Sequence, residues 1–463
     1  MHSANKKLPA SLFEDVFCIS KDDRYVLYLP LKGIVLETNA RFVNLLYRAR
    51  QGDKVAIAEL GVNSGFIDML FDSRKERARM RRARPLPPLA PQSVTLFLTN
   101  DCPLRCKYCY ALGGELTPGK NILRMPFDVV TGVLDEVCRN VRQAGSRRLS
   151  VIFHGGGDVA TAWNLLKDTM EYAHKITSPH KIKVTTAIGL AGILNPKQRR
   201  WIVENIDSAT VSVDGVEDIQ NLHRPLPNGR GSFMHVFETL KDFDRNGFQY
   251  GIRTTVTSKS VHRLEEIVQF FCEEFAARQI KIEPMFPQGR AIESDLKSPA
   301  ARDFVTCFRK ARKIAMRFGR NLSYSGARFG VLSNIFCEAA GNSCAVTPNA
   351  IITSCFEVLD LDDPLSSLFV YGHFDRNARK MVIDEERRKK LYGLTVQNKP
   401  FCSKCFCKYH CAGDCPAKSA REGGQLYPQA PDRCYINQEL TKDQIFHTLK
   451  AATADTSLNA IVG

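Results

Sequence analysis

The chain has 463 residues, of which 44% are hydrophobic and 25% charged, so it can bury the cores of about three globular domains without disulfide support. Its N-terminus lacks the apolar run of a secretory signal, and no apolar stretch approaches the ~18 residues of a membrane span. We therefore expect a cytoplasmic protein with no membrane partner, whose 16 cysteines stay reduced or bind metal. The net charge of +16 fits an acidic partner, such as a peptide or nucleic acid, or a basic surface without a dedicated ligand.

Residues 1–91 are predicted to form a small accessory domain followed by a linker. Two short strands surround Lys32 and Gly33, and an amphipathic helix follows them. The basic run at 74–84 is typical of a solvated helix, and the prolines of 85–91 make a stiff connection to the rest of the chain.

Residues 92–330 alternate strand and helix patterns six times. The strand candidates lie at 93–99, 149–155, 182–188, 209–215, 250–257 and 280–286. Six such units predict an α/β fold with a parallel sheet and right-handed crossovers, either doubly wound or curved into a partial barrel. Residues 331–463 are instead rich in cysteine, glycine and proline, so we expect bound metal to support this part of the chain.

Three cysteines follow the first predicted strand, where the chemistry of such sheets is found. Cys102, Cys106 and Cys109 have the spacing C-x3-C-x2-C within "NDCPLRCKYCY". Zinc sites usually have four ligands in paired C-x2-C motifs, and no histidine lies close by in the sequence to complete a set. Three thiolates on a cubane iron–sulfur cluster would instead leave one iron open for a further ligand.

This spacing, in this place in a βα repeat, resembles the radical S-adenosylmethionine (radical SAM) superfamily. The resemblance implies a partial (β/α)6 TIM-like barrel and a [4Fe-4S] cluster held by the three cysteines, which we call the first thiol group. It also implies that S-adenosyl-L-methionine (SAM) binds the open iron and is cleaved to a 5′-deoxyadenosyl radical. That radical takes hydrogen from an unactivated carbon, while the protein orients the cofactor and excludes water.

The same resemblance implies contacts to SAM from several strand ends. Tyr108 would lie near the adenine, and "FHGGGDV" would approach the methionine amino group, with an aspartate where the family usually has glutamate. "VSVDG" would lie near the ribose, and the arginine of "IRTTVT" near the SAM carboxylate. The implied cofactor-binding residues are therefore Tyr108, Gly155, Gly156, Gly157, Asp158, Ser212, Asp214 and Arg253.

The C-terminal cysteines resemble the SPASM extension of peptide-modifying radical SAM enzymes, since four of them fit C-x2-C-x5-C-x3-C in "CSKCFCKYHCAGDC". The resemblance implies two further, fully ligated [4Fe-4S] clusters, three clusters in all. The first auxiliary group would be Cys337, Cys344, Cys355 and Cys415. The second auxiliary group would be Cys402, Cys405, Cys411 and Cys434. We expect both clusters to carry electrons, and we expect Cys407 to be a non-ligating thiol.

The resemblance extends weakly to the N-terminal part, which is similar to the winged-helix recognition element of peptide maturases. Such domains bind a leader peptide as an added strand. The sequence therefore favours a radical SAM maturase that installs a thioether or carbon–carbon cross-link in a ribosomally made (RiPP) precursor peptide. An external electron donor such as flavodoxin or ferredoxin would be its other partner.

Two alternatives stay open. Anaerobic sulfatase-maturating enzymes, which form formylglycine, have the same cluster architecture. In them, an aspartate that acts as the catalytic base directly follows the cysteine that corresponds to Cys355. This chain has Phe356 there, and Glu357 one residue later is the only candidate for a catalytic base. In a different class, a zinc-stabilised nucleic-acid-binding protein could use the basic run, although no recognition helix or interleaved aromatic residues support it.

Overall fold

The computed structural model describes residues 11–21, 24–80, 86–114, 121–424 and 429–454. The N-terminal part is a four-stranded antiparallel sheet in sequential order followed by helices. Its strands are β1 (Ser11–Phe13), β2 (Val16–Lys21), β3 (Arg24–Leu29) and β4 (Ile34–Thr38). Its helices are α1 (Ala40–Arg50), α2 (Lys54–Glu59), α3 (Ser64–Phe71) and α4 (Arg74–Arg79). Asn39, Asp53 and Asn63 cap the first three helices by accepting backbone N–H groups, which explains where each helix begins.

Six parallel strands form the centre of the molecule, in the order of the sequence. They are β5 (Ser93–Leu96), β6 (Arg148–Phe153), β7 (Lys183–Leu190), β8 (Ser208–Ser212), β9 (Tyr250–Val256) and β10 (Gln279–Pro284). Each lies at a predicted strand position, and buried and less buried residues alternate along β6, β7 and β8. The predicted α/β class with a parallel-dominated sheet is confirmed.

Helices cover the outer face of this sheet. They are α5 (Phe127–Gln143), α6 (Trp163–Thr177), α7 (Pro196–Asn205), α8 (Glu217–His223), α9 (Phe233–Arg245), α10 (Leu264–Glu274) and α11 (Ala301–Arg317). On α5, Val129, Val133 and Val137 are fully buried because residues four apart share one helix face. Burial of these apolar stripes leaves the concave face of the sheet for polar residues.

The cysteine-rich segment extends the same sheet. A short strand β11 (Asn321–Ser323) is added to β10, and β12 (Ala345–Val346) pairs in parallel with β5 on the opposite side. Three antiparallel strands follow, β13 (Ile351–Thr353), β14 (Val370–Asp375) and β15 (Lys380–Ile383). The remaining helices are α12 (Ser366–Phe369), α13 (Glu385–Tyr392), α14 (Lys408–Cys411), α15 (Pro416–Gly423) and α16 (Pro431–Ala454). No helix of the described ranges is long and apolar enough to cross a membrane.

The N-terminal sheet packs directly on the C-terminal part of the chain. One of its faces, including Phe17 and Tyr28, shares an apolar cluster with Ile445 and Phe446 of α16. The domain boundaries at 91 and 330 stay a prediction, but this contact brings the first and last parts of the chain together.

A buried charge strengthens this contact. The Asp15 carboxylate is 1% exposed and binds Lys408 Nζ at 2.6 Å and Arg77 Nη1 at 2.6 Å. Tyr409 Oη donates to the same carboxylate at 2.8 Å. Because Lys408 and Tyr409 lie between Cys405 and Cys411, their side chains tie the N-terminal domain to the segment that carries the second auxiliary group.

Candidate active site

The first thiol group lies on the loop after β5, at the carboxyl edge of the parallel strands. Backbone bonds tie this loop to the segment after α8: Arg105 N donates to Pro225 O (2.8 Å) and Lys107 N donates to His223 O (2.9 Å). Cys106 is 7% exposed, and burial together with the nearby charges of Asp158 and Cys106 raises the pKa of Cys102. The three thiols are therefore neighbours on a fixed, mostly buried loop.

Arginine side chains hold the backbone of this loop. Arg105 Nη1 donates to Cys102 O (2.9 Å), and Arg290 Nη1 donates to Cys106 O (2.7 Å). The backbone N of Arg290 also donates to Cys109 O (3.0 Å). Sequence reasoning missed Arg290, because the loop that carries it follows β10, far from the cysteines along the chain.

A third arginine faces the thiols themselves. Arg224 is 8% exposed, and its charge opposes the rise that burial imposes on the pKa of Cys106. Its Nη1 donates to Tyr108 Oη at 2.9 Å, while its buried Nε has no hydrogen-bond partner among the described residues. A buried guanidinium with an unused donor beside Cys106 fits an anionic cluster and the anionic end of its cofactor.

Tyr108 and Asp214 belong to one buried network. Asp214 accepts hydrogen bonds from Tyr108 Oη, from His223 Nδ1 (3.2 Å) and from Thr255 N (3.0 Å). Burial alone would raise the pKa of Asp214, but the His223 hydrogen bond and the charge of Arg224 hold it below its ordinary value. The Asp214 carboxylate is thus occupied in positioning Tyr108, and its predicted contact with the ribose stays a prediction.

The three glycines after β6 allow two loops to touch. Gly157 N donates to Thr99 O (2.9 Å), and a Cβ on Gly157 would lie 1.8 Å from Asp101 O. Gly156 has a φ of 70°, and a cavity of about 70 Å³ lies beside it and Thr99. The structure therefore brings the glycines against the thiol loop, with room beside them for a small ligand group.

Asp158 is buried just beyond these glycines. Its Oδ1 accepts from Ala160 N (2.9 Å) and its Oδ2 accepts from Ala191 N. Burial raises its pKa in spite of these bonds. Both oxygens are therefore used to join the ends of β6 and β7, and contact with the SAM amino group stays a prediction.

A polar row crosses the concave face of the sheet. Ser212, Arg253, Lys281 and Ser323 are register partners on β8, β9, β10 and β11. Arg253 and Lys281 are exposed, and neither has an ion-pair partner among the described residues. Although water reaches the Lys281 side chain, desolvation by the surrounding protein lowers its pKa, the charge of Glu283 opposes this, and the charge of Arg253 adds to it. The row keeps two predicted SAM contacts together and adds Lys281, which the alternation in "IKIEP" could have revealed.

Phe356 closes one side of this space. Its ring packs edge-on against Phe97 (5.8 Å between centroids) and His154 (5.4 Å). Glu357 has different neighbours: its Oε2 accepts from Gln288 Nε2 (3.1 Å), and its charge adds to burial in raising the pKa of Cys415, of Cys355 and of Tyr110 on the thiol loop. The phenyl ring therefore lies at the strand ends, and the carboxylate lies between the thiol loop and the auxiliary thiols.

Three members of the first auxiliary group are near one another. The charge of Cys415 raises the pKa of Cys337 and of Cys355, in each case in addition to burial. The Cys344 thiol donates to Met381 Sδ (3.9 Å), and burial and the Glu136 carboxylate raise its pKa to about 12. Ligation by Cys344 stays a prediction, since the neighbours of its thiol are Met381 and Glu136 rather than other cysteines.

The four thiols of the second auxiliary group lie close to one another. Besides burial, the charges of Cys405, Cys411 and Cys434 raise the pKa of Cys402. Cys407, expected to be a non-ligating thiol, lies with its Sγ 3.4 Å from Cys405 Sγ. No three His, Cys, Asp or Glu side chains of the described part of the chain are arranged to bind a single metal ion. Binding of iron–sulfur clusters by the thiol groups therefore stays a prediction.

Residues 96–271 match the Radical SAM superfamily. This range begins at the last residue of β5 and includes the first thiol group and strands β6 to β9. The chain therefore contains a radical SAM domain, and the prediction made from the C-x3-C-x2-C spacing is confirmed at the level of the superfamily.

Relatives in sequence support the same class. A cysteine-type anaerobic sulfatase-maturating enzyme of Clostridium perfringens (strain ATCC 13124) is 19% identical over 327 residues, 68% of this chain and 86% of that protein. An uncharacterized protein of Methanocaldococcus jannaschii is 27% identical over 197 residues, 42% of this chain and 64% of that protein. A sulfatase-maturating enzyme of Clostridium novyi is 21% identical over 37% of this chain and 46% of its own length. More than a third of the second relative and more than half of the third are thus outside the match.

Solved structures share the fold. Native anSMEcpe with bound AdoMet has a TM-score of 0.63 at 16% identity, covering 79% of this chain and 100% of that chain. Streptococcus suis SuiB bound to S-adenosylmethionine has a TM-score of 0.52 at 14% identity, covering 91% and 99%. Structures of the same two proteins also exist with the Cp18Cys peptide and with the precursor peptide SuiA, respectively.

Proposed function

We propose that this chain is a radical SAM maturase that takes hydrogen from a precursor peptide and installs a thioether or carbon–carbon cross-link. One observation carries the proposal: the first thiol group is fixed beside a buried, partly unpaired arginine at the strand ends, in a sheet that continues into the cysteine-rich segment. Structural relatives solved with peptides support a peptide substrate.

The proposed cofactors are SAM and three [4Fe-4S] clusters, one on each group of thiols. When bound, SAM and the first cluster would supply a carbon radical strong enough to abstract hydrogen from an unactivated C–H bond. The role of the chain is to hold and shield them. Arg105 and Arg290 fix the loop backbone, Arg224 offers positive charge, and Phe356 keeps one wall apolar.

Cross-linking is preferred to formylglycine formation because of the residue after Cys355. An acid at this position would face the strand ends as a base, but Phe356 packs there against Phe97 and His154. Glu357 follows one residue later, where its charge adds to burial in raising the pKa of Cys415 and of Tyr110. The position that would carry the base of formylglycine formation is therefore apolar in this chain, and this favours cross-linking.

Formylglycine formation is the second candidate, because the Clostridium perfringens relative matches this chain over 86% of its own length. The two reactions leave different products on a peptide. A cross-link removes two hydrogens and joins two residues, whereas formylglycine formation turns one cysteine or serine into an aldehyde.

The N-terminal sheet is proposed to bind a leader peptide along β4, which pairs only with β3 and so has one free edge among the described strands. Leu36 on this strand is 42% exposed, and Phe66 and Met69 of α3 are 44% and 59% exposed. Changing Leu36→Lys should weaken leader binding without changing iron content. The same change at Val331, 51% exposed outside this sheet, is the matched control.

The test of the function begins with anaerobic purification and iron analysis. We expect brown protein with about twelve irons that cleaves SAM when reduced by dithionite, flavodoxin or ferredoxin. Short peptides encoded beside the gene are then incubated with the enzyme and analysed by tandem mass spectrometry. A loss of two hydrogens with fragmentation blocked between two residues supports cross-linking. An aldehyde would move the assignment to the second candidate, and colourless, zinc-loaded protein would contradict both.

A further inference from the structure

Cys407 occupies a defined place in the second auxiliary group. It is 2% exposed and precedes α14, so that its carbonyl accepts from His410 N and Cys411 N (2.9 Å each). Its Sγ lies 3.4 Å from Cys405 Sγ, within S–H···S hydrogen-bonding distance. It is thus held beside two predicted ligands by the first turn of the helix that ends at Cys411.

Two amides of α16 also donate to sulfur. Asn437 Nδ2 donates to Cys411 Sγ at 3.1 Å, and Gln438 Nε2 donates to Cys405 Sγ at 3.6 Å. Asn437 is fully buried, and Gly326 makes room for it, since a Cβ at Gly326 would lie 2.0 Å from Asn437 Oδ1. The amide is therefore confined beside the thiol, with its NH₂ group on Cys411 Sγ and its buried Oδ1 without a hydrogen-bond partner among the described residues.

This arrangement is confined to one group of thiols. In the described ranges, Cys109 Sγ accepts from the backbone N of Gly113 (3.4 Å), and the Cys344 thiol is a donor to Met381 rather than an acceptor. Among the residues that the structure describes, side-chain donors to a predicted ligand sulfur are found only around the second auxiliary group. The concentration of three such donors at one group points to control of that group.

We propose that Cys407, Asn437 and Gln438 are positioning residues that raise the reduction potential of the cluster on the second auxiliary group. The inference rests on the proposed occupancy of that group by a [4Fe-4S] cluster. A hydrogen bond to a cysteine sulfur stabilises the more negative, reduced cluster more than the oxidised one, so donors raise the potential. The cluster on the first auxiliary group, without side-chain donors, keeps the lower potential.

The consequence is a direction for electrons. After one hydrogen atom has been abstracted, forming the new bond to the second residue releases one proton to solvent and one electron, and that electron moves toward the cluster of higher potential. The second auxiliary group then serves as the terminal acceptor within the chain, from which the external protein takes the electron.

The experiment is an EPR-monitored redox titration of the full chain in a Cys106→Ala background, which removes the signal of the SAM-binding cluster. Cys407→Ala and Gln438→Leu should each lower the potential of one auxiliary cluster and leave the other unchanged. We expect roughly a tenfold fall in the reduced-to-oxidised ratio at fixed potential, which is about 59 mV for one electron. Cys407→Ser, which keeps an O–H donor, should restore most of the loss.

Matched controls remove the same chemistry elsewhere. Gln444→Leu deletes an amide on the same helix that bonds Phe329 N and Ala327 O, and Cys272→Ala deletes a buried thiol of the barrel core. Gly326→Ala tests the orientation of Asn437, since the added methyl must displace the amide and lower the same potential.

The outcomes are distinguishable. Two auxiliary signals whose potentials stay at the parental values in Cys407→Ala and Gln438→Leu would overturn this inference and leave the proposed function intact. Equal shifts in the Gln444→Leu control would overturn it as well. Protein of the Cys106→Ala background that binds no iron would overturn both the inference and the three-cluster proposal.

Discussion

The first thiol group and the second auxiliary group hold their cysteines by different means. Around the first, Arg105 and Arg290 donate to backbone carbonyls of the loop. Around the second, Asn437 and Gln438 donate to the sulfurs themselves. The first arrangement fixes a backbone and supplies positive charge, whereas the second acts on the ligand atoms.

The difference matches two tasks. A cluster with an open iron has to accept the carboxylate end of a cofactor at that iron, so it needs a rigid loop and nearby cations. Side-chain hydrogen bonds to its sulfurs are not needed for this task. A fully ligated cluster has only its potential to adjust, and donors to sulfur do that. Each region can be disturbed separately, which gives four predictions.

The largest effect is expected from removing a ligand in each region. Cys106→Ala should abolish SAM cleavage and cost about four of twelve irons, because two thiolates do not hold the cubane. Cys405→Ala leaves three thiolates in the second auxiliary group and does not touch the first, so it should retain part of the cleavage while losing the cross-linked product. Release of 5′-deoxyadenosine, iron content and product mass distinguish the two. Reductive cleavage in the Cys106→Ala variant would refute the assignment of the first site.

Next in size is the support of the second region by the N-terminal domain. Asp15→Asn leaves Lys408 buried without its counter-charge, whereas the half-buried Arg77 keeps Glu14 at 3.0 Å, so we expect a loss of about 3 kcal/mol in the free energy of unfolding. Urea unfolding of the full chain measures it. Asp68→Asn, which breaks only an exposed pair with Arg50, should cost less than about 1 kcal/mol. Equal losses in the two variants would contradict the buried role of Asp15.

The first region has its own steric test. Gly157→Ala places a methyl group against Asp101 O and should separate the glycine loop from the thiol loop, costing about 1–3 kcal/mol of stability. The affinity for SAM, measured by anaerobic calorimetry, should fall with it. Gly65→Ala on α3, where a Cβ would meet only Asn63 Oδ1 at 3.3 Å, is the control and should be neutral or slightly stabilising. Unchanged SAM affinity in Gly157→Ala would separate the glycines from the cofactor site.

The smallest effect concerns Arg224. Arg224→Gln removes a buried positive charge beside Cys106, so the first cluster becomes harder to reduce and SAM cleavage slows roughly tenfold, about 1.4 kcal/mol in the barrier. The redox titration should show a lower potential for this cluster alone, and Arg224→Lys should recover part of it. A slowed reaction at an unchanged potential would assign Arg224 to holding Tyr108 instead.

Local sequence patterns were enough to predict the strands of the central sheet. Six strands were predicted, and six parallel strands lie at those positions. The prediction was possible because buried parallel strands have short runs of apolar, often β-branched residues in the sequence. The short strands of the cysteine-rich segment were missed. The strand Ala345–Val346 has two residues, too few for any periodic pattern, and forms because β5 offers a free edge to it.

The same division holds for the candidate site. The spacing of Cys102, Cys106 and Cys109 alone identified the superfamily, since a loop with that spacing presents three thiols at one place. Arg290 left no such signal, because its loop follows β10, far from the cysteines along the chain. The alternation in "IKIEP" marked Lys281 as a residue of one strand face, but only the pairing of β10 with β9 places it beside Arg253.

The sequence by itself determined the βα order, the thiol groups and the radical SAM class, because these depend on short-range spacing and on alternation along the chain. Only the tertiary structure decided which side chains surround the thiols: Arg224 beside Cys106, Asp15 beneath α14, and Cys407 against Cys405. The physical reason is that hydrogen bonds and buried charges act over a few ångströms in space, whatever the number of residues between the partners.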